Sequence, residues 1–234
     1  MPPEIRLFNE DCMPAMRRMK DKQYQLALVD PPYGIGMDGG SIGKNNFTIK
    51  RWDRQIPSKL YFEELKRVSI NFICWGGNYF TDHLPPISSW IYWDKMQDGW
   101  GHTFSSGELA YATLGGPMRQ FVYKNQGNYI GFPMAITTKT KHPEEKKIHP
   151  TQKPVALYKW LLTNYAKPGD KILDTHGGSG SICIACHDLG FDLDWYEIDA
   201  EYFQAAKGRL ERHQRQATIS FTEKPSIVQE EIPI

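Results

Sequence analysis

Six short apolar runs, three to five residues each, punctuate this 234-residue chain, and stretches of helical period lie between them. The runs are Ile5–Phe8, Leu26–Val29, Asn71–Trp75, Trp90–Trp93, Lys171–Leu173 and Leu193–Glu197. A strand covered on both faces has this look, whereas a half-exposed strand alternates. Ser58 is placed to cap a helix running to about Val68, with Leu60, Phe62, Leu65 and Val68 on its inner side. Pro154 suits the first turn of a second helix, whose stripe of Val155, Leu157, Tyr158, Leu161 and Leu162 stops before Pro168-Gly169. A third runs from Ala200 to about Gln214. The alternation predicts an α/β fold, a mixed and mostly parallel sheet with helices on both faces.

Composition closes off other classes. With 40% hydrophobic residues the chain buries one proper core. Its apolar runs fall far short of the roughly 18 residues of a membrane span, and Met1-Pro2-Pro3-Glu4 opens no signal peptide. Cys12, Cys74, Cys183 and Cys186 are too few and scattered for a disulfide framework, which points to a reducing cytosol. The pair Cys183 and Cys186 has no second pair, and the histidines show no metal-ligand spacing, so no metal is expected. Net charge is +1, but its distribution is uneven. Pro117–Lys159 carries eight basic residues against two acidic, and Ile182 to the end ten acidic against five basic. The basic segment suits phosphate contacts. Gly34–Pro57 is a polar loop of functional length, too polar for core. Leu114–Ile148 has no clear period, and the tail after Ala217 reads as extended or frayed.

Three motifs carry chemistry. The run Leu26–Val29 ends at Asp30-Pro31-Pro32-Tyr33, and four specified residues recur by chance at roughly one position in 10^5. Open α/β sheets hold ligands at the carboxyl ends of their strands. Two prolines have no N–H and leave carbonyls as acceptors beside a carboxylate that also only accepts. That assembly suits an –NH2 on a planar ring, with Tyr33 as a stacking face; the 13% aromatic content fits a gripped ring.

The second motif runs Asp174-Thr175-His176-Gly177-Gly178-Ser179-Gly180-Ser181 between a strand and a helix, which makes a cofactor cradle. Glu197, at the end of the next strand, is placed to hold ribose hydroxyls. Cys183 replaces the third glycine of a dinucleotide fingerprint, which disfavours NAD. Around Gly43-Lys44 a Walker pattern is also missing. The third motif, His149-Pro150-Thr151-Gln152-Lys153-Pro154, leads into the second helix.

Together these resemble the S-adenosylmethionine-dependent DNA amino-methyltransferases of the permuted β group, in which the Asp-Pro-Pro-Tyr motif precedes the cofactor loop. The resemblance covers most of the chain. Asn9-Glu10-Asp11-Cys12 matches motif III, Asp30–Tyr33 motif IV, and Trp75–Phe80 resembles motif VI. Trp93-Asp94-Lys95 and Phe104–Thr113, with Glu108, resemble motifs VII and VIII. His149–Pro154 matches motif X, Asp174–Ser181 motif I and Tyr196-Glu197-Ile198-Asp199 motif II. Motif I usually reads Asp-Pro-Phe-x-Gly-Ser-Gly-Thr; here Thr175, His176 and Ser181 stand for Pro, Phe and Thr.

The resemblance implies a Rossmann-like methyltransferase fold in permuted order. Residues 1–113 would form its catalytic part, 114–148 a small target-recognition region, 149–217 the cofactor part and 218–234 a tail. Asp30, Pro31, Pro32 and Tyr33 would be catalytic. Asp11, Cys12, Asp30, His149, Thr151, Lys153, Asp174, His176, Gly177, Gly178, Ser179, Gly180, Ser181, Glu197 and Ile198 would hold S-adenosylmethionine. The substrate would be double-stranded DNA, methylated on adenine N6 given the Asp form of motif IV. Lys44, Lys50, Arg51 and Arg54 would close over the target strand. Cytosine N4, an RNA substrate, and a weakly active nucleic-acid-binding protein on the same scaffold stay open. The short recognition region suggests a homodimer. A bacterial or phage-encoded protein acting in the cytoplasm is implied, with a cognate restriction endonuclease a partner that one chain does not reveal.

Overall fold

The computed structural model describes residues 2–38, 50–95, 105–123, 125–126, 129–130 and 147–222. All six apolar runs are strands: β1 (Ile5–Phe8), β2 (Tyr24–Val29), β3 (Ser69–Trp75), β4 (Trp90–Asp94), β9 (Lys171–Asp174) and β10 (Asp192–Tyr196). Four more were not legible as runs: β5 (Gly107–Ala112), β6 (Arg119–Val122), β7 (Asn125–Gln126) and β8 (Tyr129–Ile130). The helices are α1 (Cys12–Arg18), α2 (Lys59–Val68), α3 (Val155–Tyr165), α4 (Ser181–Leu189) and α5 (Ala200–Thr222).

Eight strands form one sheet in the order β1-β10-β9-β2-β3-β5-β4-β6, and β7 pairs with β8. From β1 to β3 every pairing is parallel; β5 runs antiparallel to both β3 and β4. The carboxyl-terminal strands β9 and β10 thus lie between β1 and β2. This is the mixed, mostly parallel sheet that was expected, visited in permuted order. Beside β9 the strand order reverses, and the loops after β2 and β9 leave the same edge side by side. Such a switch point opens a crevice in α/β sheets.

Alternation along the strands splits the core in two. Leu26, Leu28, Ile73, Trp75 and Ile172 pack with α3, α4 and Leu210 of α5. Ala27, Val29, Phe72, Cys74 and Leu173 pack with α1 and α2. Burying a side chain of this size stabilises the fold by about 1.5–3 kcal/mol. At the opposite end of the strands, Asp194 ties four of them together. Its buried carboxylate accepts both arms of Arg6 (2.6 and 2.6 Å) and the Tyr24 hydroxyl (2.6 Å), and lies 3.0 Å from Lys171 Nζ. Asp188 joins three helices in a similar way, through Lys159 (2.7 Å), His187 (3.2 Å) and His213 (2.6 Å).

Several expectations are corrected. Leu60 lies on the exposed side of α2, because Tyr61 takes the inward position in the stripe with Phe62, Leu65 and Val68. Pro154 is the N-cap of α3, not a first-turn residue; its extended backbone (ψ 146°) leaves its carbonyl to accept the Leu157 N–H. α5 continues to Thr222, so the chain just after Ala217 is helical; residues 223–234 lie outside the described residues. The polar stretch 34–57 contributes to the interior. Asp53, in a 3-10 turn over Trp52–Arg54, is 2% exposed. Lys44 and, within the basic segment, residues 124, 127–128 and 131–146 lie outside the described residues. No described helix is long and apolar enough to cross a membrane.

Candidate active site

At the carboxyl end of β2 the chain turns through Asp30-Pro31-Pro32-Tyr33. The prolines offer no N–H, so the first donors of the turn belong to Tyr33 and Gly34. Asp53 accepts both (2.6 and 2.8 Å), and its second oxygen accepts the Met37 N–H (2.8 Å). One buried carboxylate thereby fixes the whole loop. Gly76, just past β3, makes room for the Tyr33 ring: a Cβ there would lie 2.2 Å from a ring carbon. Tyr79 stacks on Tyr33 (5.2 Å between centroids, 17° between planes), and Phe80 meets it edge-on. The free stacking face expected of Tyr33 is therefore covered on one side by Tyr79, which is itself 42% exposed.

Both oxygens of Asp30 have partners. Its Oδ1 accepts the Tyr33 hydroxyl (2.6 Å), and its Oδ2 lies 2.5 Å from Lys153 Nζ. The same ammonium reaches Glu108 Oε2 (3.1 Å), and Glu108 Oε1 pairs with Lys95 (2.6 Å). Positive and negative groups thus alternate from Lys95 to Asp30. Lys153 is 4% exposed and sits 5.4 Å from the centre of the Trp75 ring. Burial raises Asp30 above the usual carboxylate range, with Lys153 opposing the shift and Glu108 adding to it. Burial pushes Glu108 upward too, but Lys153 and Lys95 together hold it at about 2. Two neighbouring carboxylates with affinities driven apart take different roles: Asp30 is the basic one, and Glu108 keeps its charge.

Two cavities of about 500 and 520 Å³ meet here, sharing Asp30, Pro32, Trp52, Thr151 and Lys153. Both fall in the range of small-molecule sites. The first is lined also by Pro31, Tyr33, Tyr79, Tyr92, Lys95 and Glu108. The second lies over the loop after β9. There Gly177 donates to the Tyr196 carbonyl (2.8 Å), and a Cβ on it would sit 1.9 Å from the Trp195 indole. Gly178, in the left-handed region at φ +52°, donates to Glu197 Oε2 (2.7 Å), while Glu197 Oε1 accepts the Asp199 N–H (2.7 Å).

Asp11, Cys12, His149, Thr151, Lys153, His176, Gly177, Gly178, Ser179, Glu197 and Ile198 all line this second cavity. Asp174, Gly180 and Ser181 stand behind its wall. Asp174 accepts the His176 N–H (3.0 Å). Ser181 donates to the Lys153 carbonyl (2.7 Å) and accepts from Arg209 (2.9 Å), which ties the loop to the His149–Pro154 segment. Asp11 also caps α1 by accepting the Met13 N–H (2.8 Å). Burial lowers His149 to about 3 and His176 to about 4, so both rings are neutral near pH 7. The wall holds five carboxylates (Glu10, Asp11, Asp30, Glu197, Asp199) against Lys50 and Lys153. It suits a ligand that carries positive charge.

Residues 86–208, just over half of the chain, match the N6/N4 DNA methylase family. The chain belongs to that family. This methylase is 26% identical to the type II methyltransferase M.HpaI of Haemophilus parainfluenzae, over 88% of its own length and 74% of the relative's. It superposes on the S-adenosylmethionine complex of M1.HpyAVI with a TM-score of 0.53 at 21% identity, over 88% and 98% of the two chains. On the PvuII DNA methyltransferase, described as cytosine-N4-specific, the TM-score is 0.56 at 11% identity, over 92% and 93%. At such identities the two superpositions establish the fold. The methylase acts on DNA, and its methyl donor is S-adenosylmethionine.

The second cavity fits that donor. Gln152 is 3% exposed, its Oε1 accepts the Ile148 N–H (3.0 Å), and its Nε2 is a buried donor with no protein partner. It lines the cavity, as do neutral histidines and an acidic wall, around what would be a sulfonium, ribose hydroxyls and a carboxylate. Sequence reasoning quoted Gln152 only as part of a string. It missed Trp52, Asp53 and Tyr202, which reach the site from an irregular loop and from the first turn of α5. Lys50, expected to close over DNA, instead pairs with Asp199 (2.7 Å) and Glu201 (2.6 Å) at the second cavity.

Proposed function

We propose that this methylase transfers the methyl group of S-adenosylmethionine to the exocyclic N6 of adenine in double-stranded DNA. The observation that carries the reading is the shared wall. Donor-sized and base-sized cavities meet at Asp30 and Pro32, so a methyl group on one side and an amine on the other face each other across a carboxylate. Bound S-adenosylmethionine supplies a methyl group already activated by its sulfonium.

A paired base reaches such a site only by flipping out of the duplex, at a cost of a few kcal/mol. The Tyr33–Tyr79 stack offers it an aromatic surface. Asp30 and the Pro31 carbonyl each accept one amine N–H, which draws the nitrogen lone pair out of conjugation and stabilises the charge developing on it. The N–CH3 bond forms as the S–CH3 bond breaks. One proton then leaves the amine, and Asp30 takes it before releasing it to water. Holding donor and acceptor in line supplies much of the remaining acceleration.

The Asp form of the catalytic motif supports adenine over cytosine. Pro31, Pro32 and Tyr33 complete the catalytic group, with 114–148 as a target-recognition region too small to act alone and a homodimer as the working form. Labelled S-adenosylmethionine and mixed-sequence duplex, followed by nucleoside analysis, should give N6-methyladenine. Labelled N4-methylcytosine alone would move the assignment. Asp30→Ala should bind the cofactor and lose turnover; full turnover in that variant would remove Asp30 from the mechanism.

A further inference from the structure

The family resemblance placed Lys153 among the cofactor ligands, and it lines both cavities, but its ammonium is held by groups of the first. All three of its N–H donors have acceptors: Asp30 Oδ2 (2.5 Å), Glu108 Oε2 (3.1 Å) and the Tyr33 hydroxyl (3.2 Å). With Tyr33 on the other oxygen, each Asp30 oxygen already holds one donor before any amine arrives. A target amine must therefore share or displace one of these donors. The ammonium is the costly neighbour: left hard against Asp30, it would repel the positive charge that grows on the amine nitrogen. Glu108 is where it can go. It already contacts the ammonium, its position is fixed by Lys95, and it lines the same cavity as Asp30.

We propose that Lys153 is a positioning residue for Asp30, and that Glu108 receives its ammonium when the target amine occupies Asp30. The proposal rests on the methyl-transfer reading above. In the resting state Lys153 aims the carboxylate and keeps a buried charge paired. On base entry, a short shift toward Glu108 frees Oδ2 without leaving either acid uncompensated, as unpaired buried charge is strongly unfavourable. The other titratable groups facing Asp30 are Tyr33 on its own loop, Cys74 of β3, Tyr158 of α3 and Asp174 of β9.

Four variants test this: Lys153→Met, Lys153→Arg, Glu108→Gln and the double variant Asp30→Asn/Lys153→Met. Lys153→Met should bind S-adenosylmethionine within about threefold of wild type by calorimetry and lose about 100-fold in kcat. Activity needs ionised Asp30, so without the ammonium the acid limb of the kcat profile should move up by about one pH unit. Lys153→Arg should recover part of the rate and restore the acid limb. Glu108→Gln should lower kcat with little change in cofactor affinity, because the ammonium then stays on Asp30. Should Lys153→Met prove unstable, adding Asp30→Asn should restore stability, a readout that needs no activity. Lost cofactor affinity with unchanged kcat at saturation would return Lys153 to the cofactor and overturn the proposal, as would an unshifted acid limb. A wild-type protein inert on every duplex would instead strike the methyl-transfer reading and leave the stability coupling standing.

Discussion

Replacing Gly76 by Ala should separate chemistry from cofactor binding. The glycine lies just past β3 at φ +71°, where an L-residue costs about 1–2 kcal/mol. The added Cβ would lie 2.2, 2.5 and 2.7 Å from three carbons of the Tyr33 ring, so the ring has to move. Overpacking of that kind costs about 1–3 kcal/mol, which brings the expected loss of stability to about 2–5 kcal/mol. Because the Tyr33 hydroxyl is bound to Asp30 at 2.6 Å, a displaced ring also disturbs the carboxylate. Misplacement by about 1 Å is enough for a 100-fold loss of rate. Gly76 lines the first cavity and not the second, so S-adenosylmethionine should bind as in wild type. Denaturant unfolding, calorimetry and single-turnover methylation, run well below the melting midpoint, give the three quantities. A variant with wild-type kcat and a stability loss under about 0.5 kcal/mol would show that the ring is free to move and that its contact with Asp30 is immaterial.

Two further outcomes follow from buried polar groups. Asp194→Ala should destabilise the fold by about 3 kcal/mol, the low end for a broken buried pair because Arg6 and Lys171 both reach solvent. Its partners hold Asp194 below the ordinary carboxylate range, so its contribution is complete above the unfolded value near pH 4 and is lost as pH falls through the folded one. Urea titrations of wild type and variant should converge in acid; a constant gap would refute the linkage. Gln152→Glu keeps the acceptor for the Ile148 N–H and removes the unpartnered donor, so S-adenosylmethionine affinity should fall about tenfold, or roughly 1.4 kcal/mol. Unchanged calorimetric affinity would mean that the amide faces no acceptor on the cofactor.

The strands were legible because burial on both faces leaves an unbroken apolar run, as in Leu26–Val29. β5 was not: Gly107-Glu108-Leu109-Ala110-Tyr111-Ala112 mixes a charged side chain for the site with small residues, Gly107 leaving room for the Tyr92 ring and Ala110 lying opposite Ile91. The reading of Gly34–Pro57 erred for a related reason. Polarity in a loop usually means solvent, but Asp53 spends its two oxygens on three backbone N–H groups of the catalytic turn. The glycines after β9 were read as room for a cofactor, yet Gly177 is required by Trp195, a contact 18 residues away that no local pattern carries. Lys153 was legible as a site residue and does line the second cavity, but its pairing with Asp30 after β2 and Glu108 of β5 was not legible, because only the sheet brings those strands beside it.

Lys153 shows what the permutation changes and what it preserves. The catalytic turn and the cofactor loop are about 140 residues apart in this chain and yet adjacent, since β2 and β9 pair directly through Leu26 with Ile172 and Ala27 with Leu173. A crevice at a switch point depends on which strands are neighbours and which way they run, and not on the order in which the chain visits them. The segment His149–Pro154 runs into α3 along the place where the two cavities meet: His149 and Gln152 line the second cavity only, and Thr151 and Lys153 line both. Its side chains face both cavities on the way: Gln152 and His149 toward the donor, Lys153 toward Asp30. Of these side chains Lys153 is the charged one, and it sits where the two cavities meet.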